Sequence, residues 1–235
     1  MAAALLVAVA LSLPAVASAT GEDFVNETLV AKGLGGREIG FELASDSRID
    51  RDYRLQGWFT PELEIGVTRA WVVEATTSFV NRGRGFELAA WRGESRYVLL
   101  EQPRWPVSVA GAFEYETETT AAKHISYERL MGTRVLVTRV FAGSLLATFN
   151  WGWDRRLVPL PRRGSSQGFG LRFPEDAPIT YGFEYRRERL ERLTQYGPSV
   201  RIRMPNRMRL RLGGFVGEGS HLYRFVGRAV VEADL

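Results

Sequence analysis

The residues best suited to chemistry are His124 and Ser126, separated by one position. On a strand, residues i and i+2 share a face, so imidazole and hydroxyl would lie side by side as base and nucleophile. Asn150 has the same parity on the next predicted strand and could orient such a pair. The H-x-S pattern is short and its middle position is free, so no catalytic residue is assigned from it. Metal chemistry has less to draw on. His124 and His221 are the two histidines and there is no cysteine, so neither a metal site nor a cofactor is expected.

A second set of candidates is ionic. The basic charge is almost all arginine, with Lys32 and Lys123 the two lysines. Residues 20–118 hold 11 basic and 17 acidic side chains, whereas residues 119–235 hold 20 and 10. Glu62, Glu64, Glu94, Glu114 and Glu116 fall on one face of predicted strands in the first half. Arg186, Arg201, Arg203, Arg209, Arg211, Arg224 and Arg228 do so in the second. If both faces line one lumen, acidic and basic walls oppose each other and impose a transverse field on a solute. The structural alternative is that these groups neutralise one another and fill the space.

The elements that must position these residues are strands. Residues 53–67, 105–118, 144–156, 179–186, 196–204, 208–212 and 223–235 alternate apolar and polar with period two. Weaker candidates fill 37–45, 70–80, 86–101, 123–140 and 167–173, which brings the total to about twelve strands. Short links at 68–69, 102–104, 142–143, 174–178 and 205–207 alternate with longer polar ones at 45–52, 81–85, 117–122, 156–167, 187–194 and 217–220. Tight periplasmic turns and longer outer loops are what an up-and-down transmembrane β-barrel shows. Aromatic residues fall near the predicted strand ends: Trp71, Trp105 and Phe173 at the periplasmic side, and Tyr53, Phe79, Tyr115, Trp153, Tyr185 and Tyr223 at the outer side. Amphipathic rings prefer the headgroup level, so these residues are expected to form two girdles.

The N-terminus fits an exported bacterial chain. An apolar run, Leu5–Leu13, leads through Pro14 to Ala17-Ser18-Ala19, the small-residue pattern of a cleaved signal peptide, residues 1–19. Residues 20–36 read as a periplasmic lead-in, and residues 37–235 as the barrel in the outer membrane. Export sets aside a nucleic-acid partner for the basic half. The expected partners are outer-membrane lipid, the barrel-assembly machinery during insertion, and a small solute if the barrel conducts. A soluble exported β-sandwich alternates too, but its outer face has less use for terminal aromatics.

Several segments resemble known families. Pro61-Glu-Leu-Glu-Ile-Gly-Val-Thr68 before a strand opening with Trp71, then Arg96–Glu101 followed by Trp105-Pro106, Phe149-Asn150-Trp151 and Gly197-Pro198-Ser199, resemble outer-membrane transporters of the phenol-degradation MetA-pathway type. That resemblance implies a roughly twelve-stranded barrel and a channel, with no catalytic residues. The His124–Ser126 pair is similar to the H-x-S pair of outer-membrane phospholipases and lipid A deacylases. Here it continues as Tyr127-Glu128-Arg129, not as the asparagine-glycine type of those enzymes, and its parity points away from lipid. Sequence reasoning therefore favours a channel for small polar or aromatic solutes. A non-conducting structural or partner-binding barrel comes second and a Ser/His esterase third.

Overall fold

A computed structural model describes residues 29–31, 38–50, 52–81, 83, 85–120, 126–141, 144–158, 160–190, 192–218 and 224–234. The expected signal peptide, His124, His221 and Tyr223 lie outside these residues, as does the side chain of Ser126. The described chain is twelve antiparallel strands: β1 (Ile39–Ile49), β2 (Leu55–Gly66), β3 (Trp71–Asn81), β4 (Phe86–Leu100), β5 (Ser108–Thr120), β6 (Ser126–Phe141), β7 (Leu145–Val158), β8 (Arg162–Phe173), β9 (Ile179–Glu188), β10 (Leu193–Arg203), β11 (Met208–Glu218) and β12 (Phe225–Asp234).

Each strand pairs with its sequence neighbours, and β1 pairs with β12 from Gly40↔Asp234 to Ile49↔Phe225, which closes the sheet into a barrel. Closure leaves no edge and satisfies the backbone internally, the condition for crossing hydrocarbon with strands. The strand number is even, as in bacterial outer-membrane barrels.

Alternation along each strand sorts side chains in the opposite sense to a soluble protein. Phe41, Leu63, Phe113, Val135, Trp151, Phe183 and Leu212 point outward and are exposed. Glu74, Glu94, Arg96, Arg201 and Arg211 point inward and are buried. A period-two pattern with polar residues inside and apolar ones outside is the signature of lipid as the outer solvent.

The end where β1 starts and β12 stops is called the terminal end, and the opposite end the distal end. Five of the six distal connections are shorter than the sequence led us to expect. β1 runs on to Ile49 and β5 to Thr120, while β7 reaches Val158 and β8 begins at Arg162. Polar residues carry on the ladder there because each backbone N–H and C=O gains a partner whatever its side chain. At the terminal end, Asn206 and Arg207 both take positive φ in the tight β10–β11 turn, where Met204 N donates to Met208 O at 2.9 Å.

The wall is uneven. β4 to β7 are 13 to 16 residues long, whereas β9 to β12 are 10 or 11. The step is sharpest between β8 and β9. Their last distal pair is Ser166↔Glu188, and β8 continues past it as Arg162–Ser165.

Inside the terminal third, the inner wall of β4 to β7 turns apolar at Val98, Ala110, Ala112, Leu136, Val140 and Leu146. Leu29, Val30 and Ala31 lie against that patch, only 6%, 2% and 2% exposed. This part of the expected periplasmic lead-in therefore does not trail from the barrel but runs inside it.

Candidate functional site: the charged lumen

Eleven of the twelve ionic residues expected in the lumen are on inward positions of β2, β4, β5 and β9 to β12. The exception is Arg224. It lies at the distal rim, where its guanidinium stacks on the Tyr53 ring at 5.0 Å and its Nη1 donates to Tyr53 Oη at 2.7 Å. Tyr53 is 73% exposed, so this pair belongs to the mouth and not to the lumen.

The lumen charges form two ionic clusters, each built mostly between neighbouring strands. On the β2–β6 wall, Arg92 Nη2 lies 2.7 Å from Glu74 Oε1 and 3.6 Å from Glu62 Oε2. Arg96 reaches Glu94 at 3.4 Å and Glu64 at 3.6 Å. Arg134 Nη2 touches both Glu114 oxygens, at 2.8 Å and 2.7 Å. Thr76 Oγ1 donates to Glu74 at 3.0 Å. Glu116, on the same face of β5, is half-buried.

On the β8–β1 wall, Arg209 bridges Glu232 at 2.8 Å and Asp234 at 2.7 Å. Arg211 binds Glu42, two strands away, and lies 3.5 Å from Glu232. Arg228 and Arg48 share Asp46, each at 2.6 Å. Arg186 pairs with Glu188 on its own strand. At the terminal mouth, Glu175 from the β8–β9 connection folds inward and is 0% exposed. Arg201 Nη1 donates to its carboxylate at 2.9 Å, and Arg203 Nη2 to its main-chain oxygen at 2.9 Å.

These pairings correct the expectation of two bare opposing walls. Each acidic stretch brings its own arginines on adjacent strands, so most of the charge is neutralised along the wall and not across the lumen. Of the partners missed from the sequence, Glu42, Asp46, Glu74, Arg92, Arg96 and Arg134 share a parity signal with those that were found, whereas Glu175 lies on a connection and has none. They sit mainly on strands whose alternation was weaker. An imbalance survives. Glu62, Glu64, Glu74, Glu94, Glu114 and Glu116 outnumber Arg92, Arg96 and Arg134 on one side. On the β8–β1 wall the balance is closer: Arg48, Arg172, Arg186, Arg201, Arg203, Arg209, Arg211 and Arg228 face Glu42, Asp46, Glu175, Glu184, Glu188, Glu232 and Asp234.

Of the hydrolase candidates, Asn150 is far from Ser126 along the wall. Ser126 pairs with Thr120 at the distal end, whereas Asn150 pairs with Leu136, ten residues further along β6. At about 3.3 Å per residue that is roughly 33 Å. The parity of Asn150 is as expected, but its height is wrong for Ser126. Asn150 instead faces Leu29. In the amide orientation that satisfies both of its ends, its oxygen accepts from Leu29 N at 2.6 Å and its nitrogen donates to Leu29 O at 2.9 Å.

Of the expected girdle residues that are described, some lie at strand ends or connections, whereas Tyr115 and Trp153 lie five residues inside the distal ends of β5 and β7. Trp71, Trp105 and Phe173 are exposed at the terminal end. Trp153 is exposed toward the distal end, where Tyr115 packs on Trp91 with ring centroids 5.5 Å apart. Phe79 and Tyr185 are half-buried at comparable levels on β3 and β9.

No protein-family model matches the sequence, and no curated protein matches it. Among solved structures, the KdgM porin in complex with disordered oligogalacturonate superposes with a TM-score of 0.64 at 6% identity, over 83% of this chain and 99% of that one. A second KdgM porin structure gives 0.57 at 8% identity, with the same coverage of both chains. At such identity the likeness is one of fold. The chain has the closed twelve-stranded architecture of outer-membrane barrels, in the version seen in porins.

Proposed function

We propose that this protein is a porin-like outer-membrane channel for small polar solutes, whose lumen is narrowed by its own side chains. The observation that carries the reading is the inner face itself: a closed barrel with apolar residues outward and paired guanidinium and carboxylate groups inward. Paired charges offer a polar path and can exchange a partner for a passing solute at little net cost. The solute bound in the KdgM porin structure is an acidic oligosaccharide. The arginines of β8 to β12 are the groups on this wall that would meet such an acidic solute, in exchange for their carboxylate partners.

A second reading, a non-conducting structural or partner-binding barrel, draws support from burial. Glu74, Glu94, Arg96 and Arg211 are at most 7% exposed although they face the lumen, and Leu29–Ala31 occupies its terminal third. Planar-bilayer conductance of the refolded mature protein separates the two, with Glu114→Gln/Glu116→Gln as the comparison. Discrete steps whose ion selectivity shifts in the variant support the channel. A heat-modifiable, folded barrel without steps supports the structural role.

A further inference from the structure

The contacts around Leu29–Ala31 are unlike ordinary packing, because the wall binds the segment by its backbone. Asn150 holds the N–H and the carbonyl of Leu29, as described above, and Thr148 Oγ1 donates to the same carbonyl at 3.0 Å. Arg96 Nη1 donates to Val30 O at 3.3 Å. Ala31 N donates to Thr138 Oγ1 at 2.8 Å. Thr138 and Thr148 are themselves joined at 2.8 Å. Side chains from three strands, β4, β6 and β7, thus supply the partners a neighbouring strand would give to an extended chain.

The apolar contacts follow the same extended geometry. Leu29 and Ala31 rest on Val98, Ala110, Ala112 and Leu136, while Val30 turns to Val140 and Leu146. Small residues at Ala110 and Ala112 leave room for a chain. The donors and acceptors around it are polar groups that water can satisfy once it leaves. A permanent core would have been filled by the wall's own side chains.

We infer that the inner wall of β4, β6 and β7 is a binding site for an extended peptide backbone, and that Leu29–Ala31 occupies it as a displaceable plug. Recognition through main-chain atoms makes the site tolerant of sequence, and the shallow patches on either side restrict it to small aliphatic residues. That displacement also widens a conducting path rests on the channel reading; the binding site itself does not.

The test uses the refolded mature protein in phosphatidylcholine vesicles. The native chain has no cysteine, so Ala31→Cys gives a single reporter for a water-soluble maleimide. In that parent, labelling is slow. Adding Thr138→Val/Thr148→Val removes two backbone partners with little change of shape. Adding Val30→Asp changes the segment and leaves every residue of the barrel wall as it is. Both are expected to accelerate labelling at least about tenfold, since each hydrogen bond lost in the first lowers the docked population by a factor of several, and the second places a carboxylate against an apolar patch. Heat-modifiable mobility checks that each variant is folded. Fast labelling in the parent, or unchanged labelling in both folded variants, overturns the inference. Faster labelling with no gain in conductance upholds the plug and counts against the channel instead.

Discussion

Replacing Arg201 with methionine tests whether the terminal mouth is held by buried charge. Arg201 is 2% exposed and supplies Glu175, itself 0% exposed, with a cationic contact at 2.9 Å. It also donates to Thr180 Oγ1 at 3.1 Å. Methionine keeps the apolar stem and removes the guanidinium, which leaves the carboxylate with Arg172 at 3.6 Å. Breaking a buried pair by deleting one partner costs about 3–5 kcal/mol, mostly as an uncompensated buried charge. The surviving Arg172 contact offsets about 1 kcal/mol of that, on the scale of a hydrogen bond. The expected loss is therefore about 2–4 kcal/mol. Urea unfolding in lipid vesicles, followed by the fluorescence of the six tryptophans, measures it. Arg201→Met/Glu175→Gln removes the stranded charge and should recover at least half of the loss. A single-variant loss below about 1 kcal/mol, or losses that simply add in the double variant, would refute the reasoning.

Three further outcomes are expected. Val135→Arg, on the lipid-facing side of β6, should destabilise the barrel by about 2–4 kcal/mol in the same assay. Val135→Leu should be nearly neutral there. Arg134→Gln strips Glu114 of its closest counter-ion and should shift any conductance toward cations, read as reversal potential in a salt gradient. Gly132→Ala puts a methyl where the Glu114 side chain now lies, so the carboxylate end must move. It should change selectivity more than stability, and an unchanged reversal potential would show that Glu114 does not face the conducting path.

The barrel was legible because lipid outside and charge inside impose a period of two on nearly every strand. Tyr53–Val67 and Ser144–Arg156 carry that period at nearly every position, with Trp58, Leu146 and Arg155 the exceptions. Parity alone put Glu114, Arg201 and Arg211 in the lumen. Parity does not give height, and for that reason Ser126 and Asn150 seemed to be neighbours although they lie ten residues apart along β6. It fails at strand ends too, where Arg224 turns onto Tyr53 at the rim. The internal segment did leave a trace in the sequence. Val135-Leu136-Val137 and Leu145-Leu146-Ala147 are apolar on both faces, and in a barrel that means the inner face is covered. What covers it is set by three residues whose own sequence reads as an unremarkable lead-in.

The uneven wall sets terms for the bilayer around it. Ten or eleven residues on β9 to β12 are about the minimum that crosses hydrocarbon at a strand tilt near 45°. That side has no length to spare, so a thicker bilayer must thin toward it or the barrel must lean, at a fraction of a kcal/mol per Å. The opposite side is up to five residues longer on β6 than on β10 or β11, an excess of roughly 10 Å that would form a half-collar above the lipid. Solutes and neighbouring molecules would meet the mouth from the low side, and the protein would settle best in thin membranes.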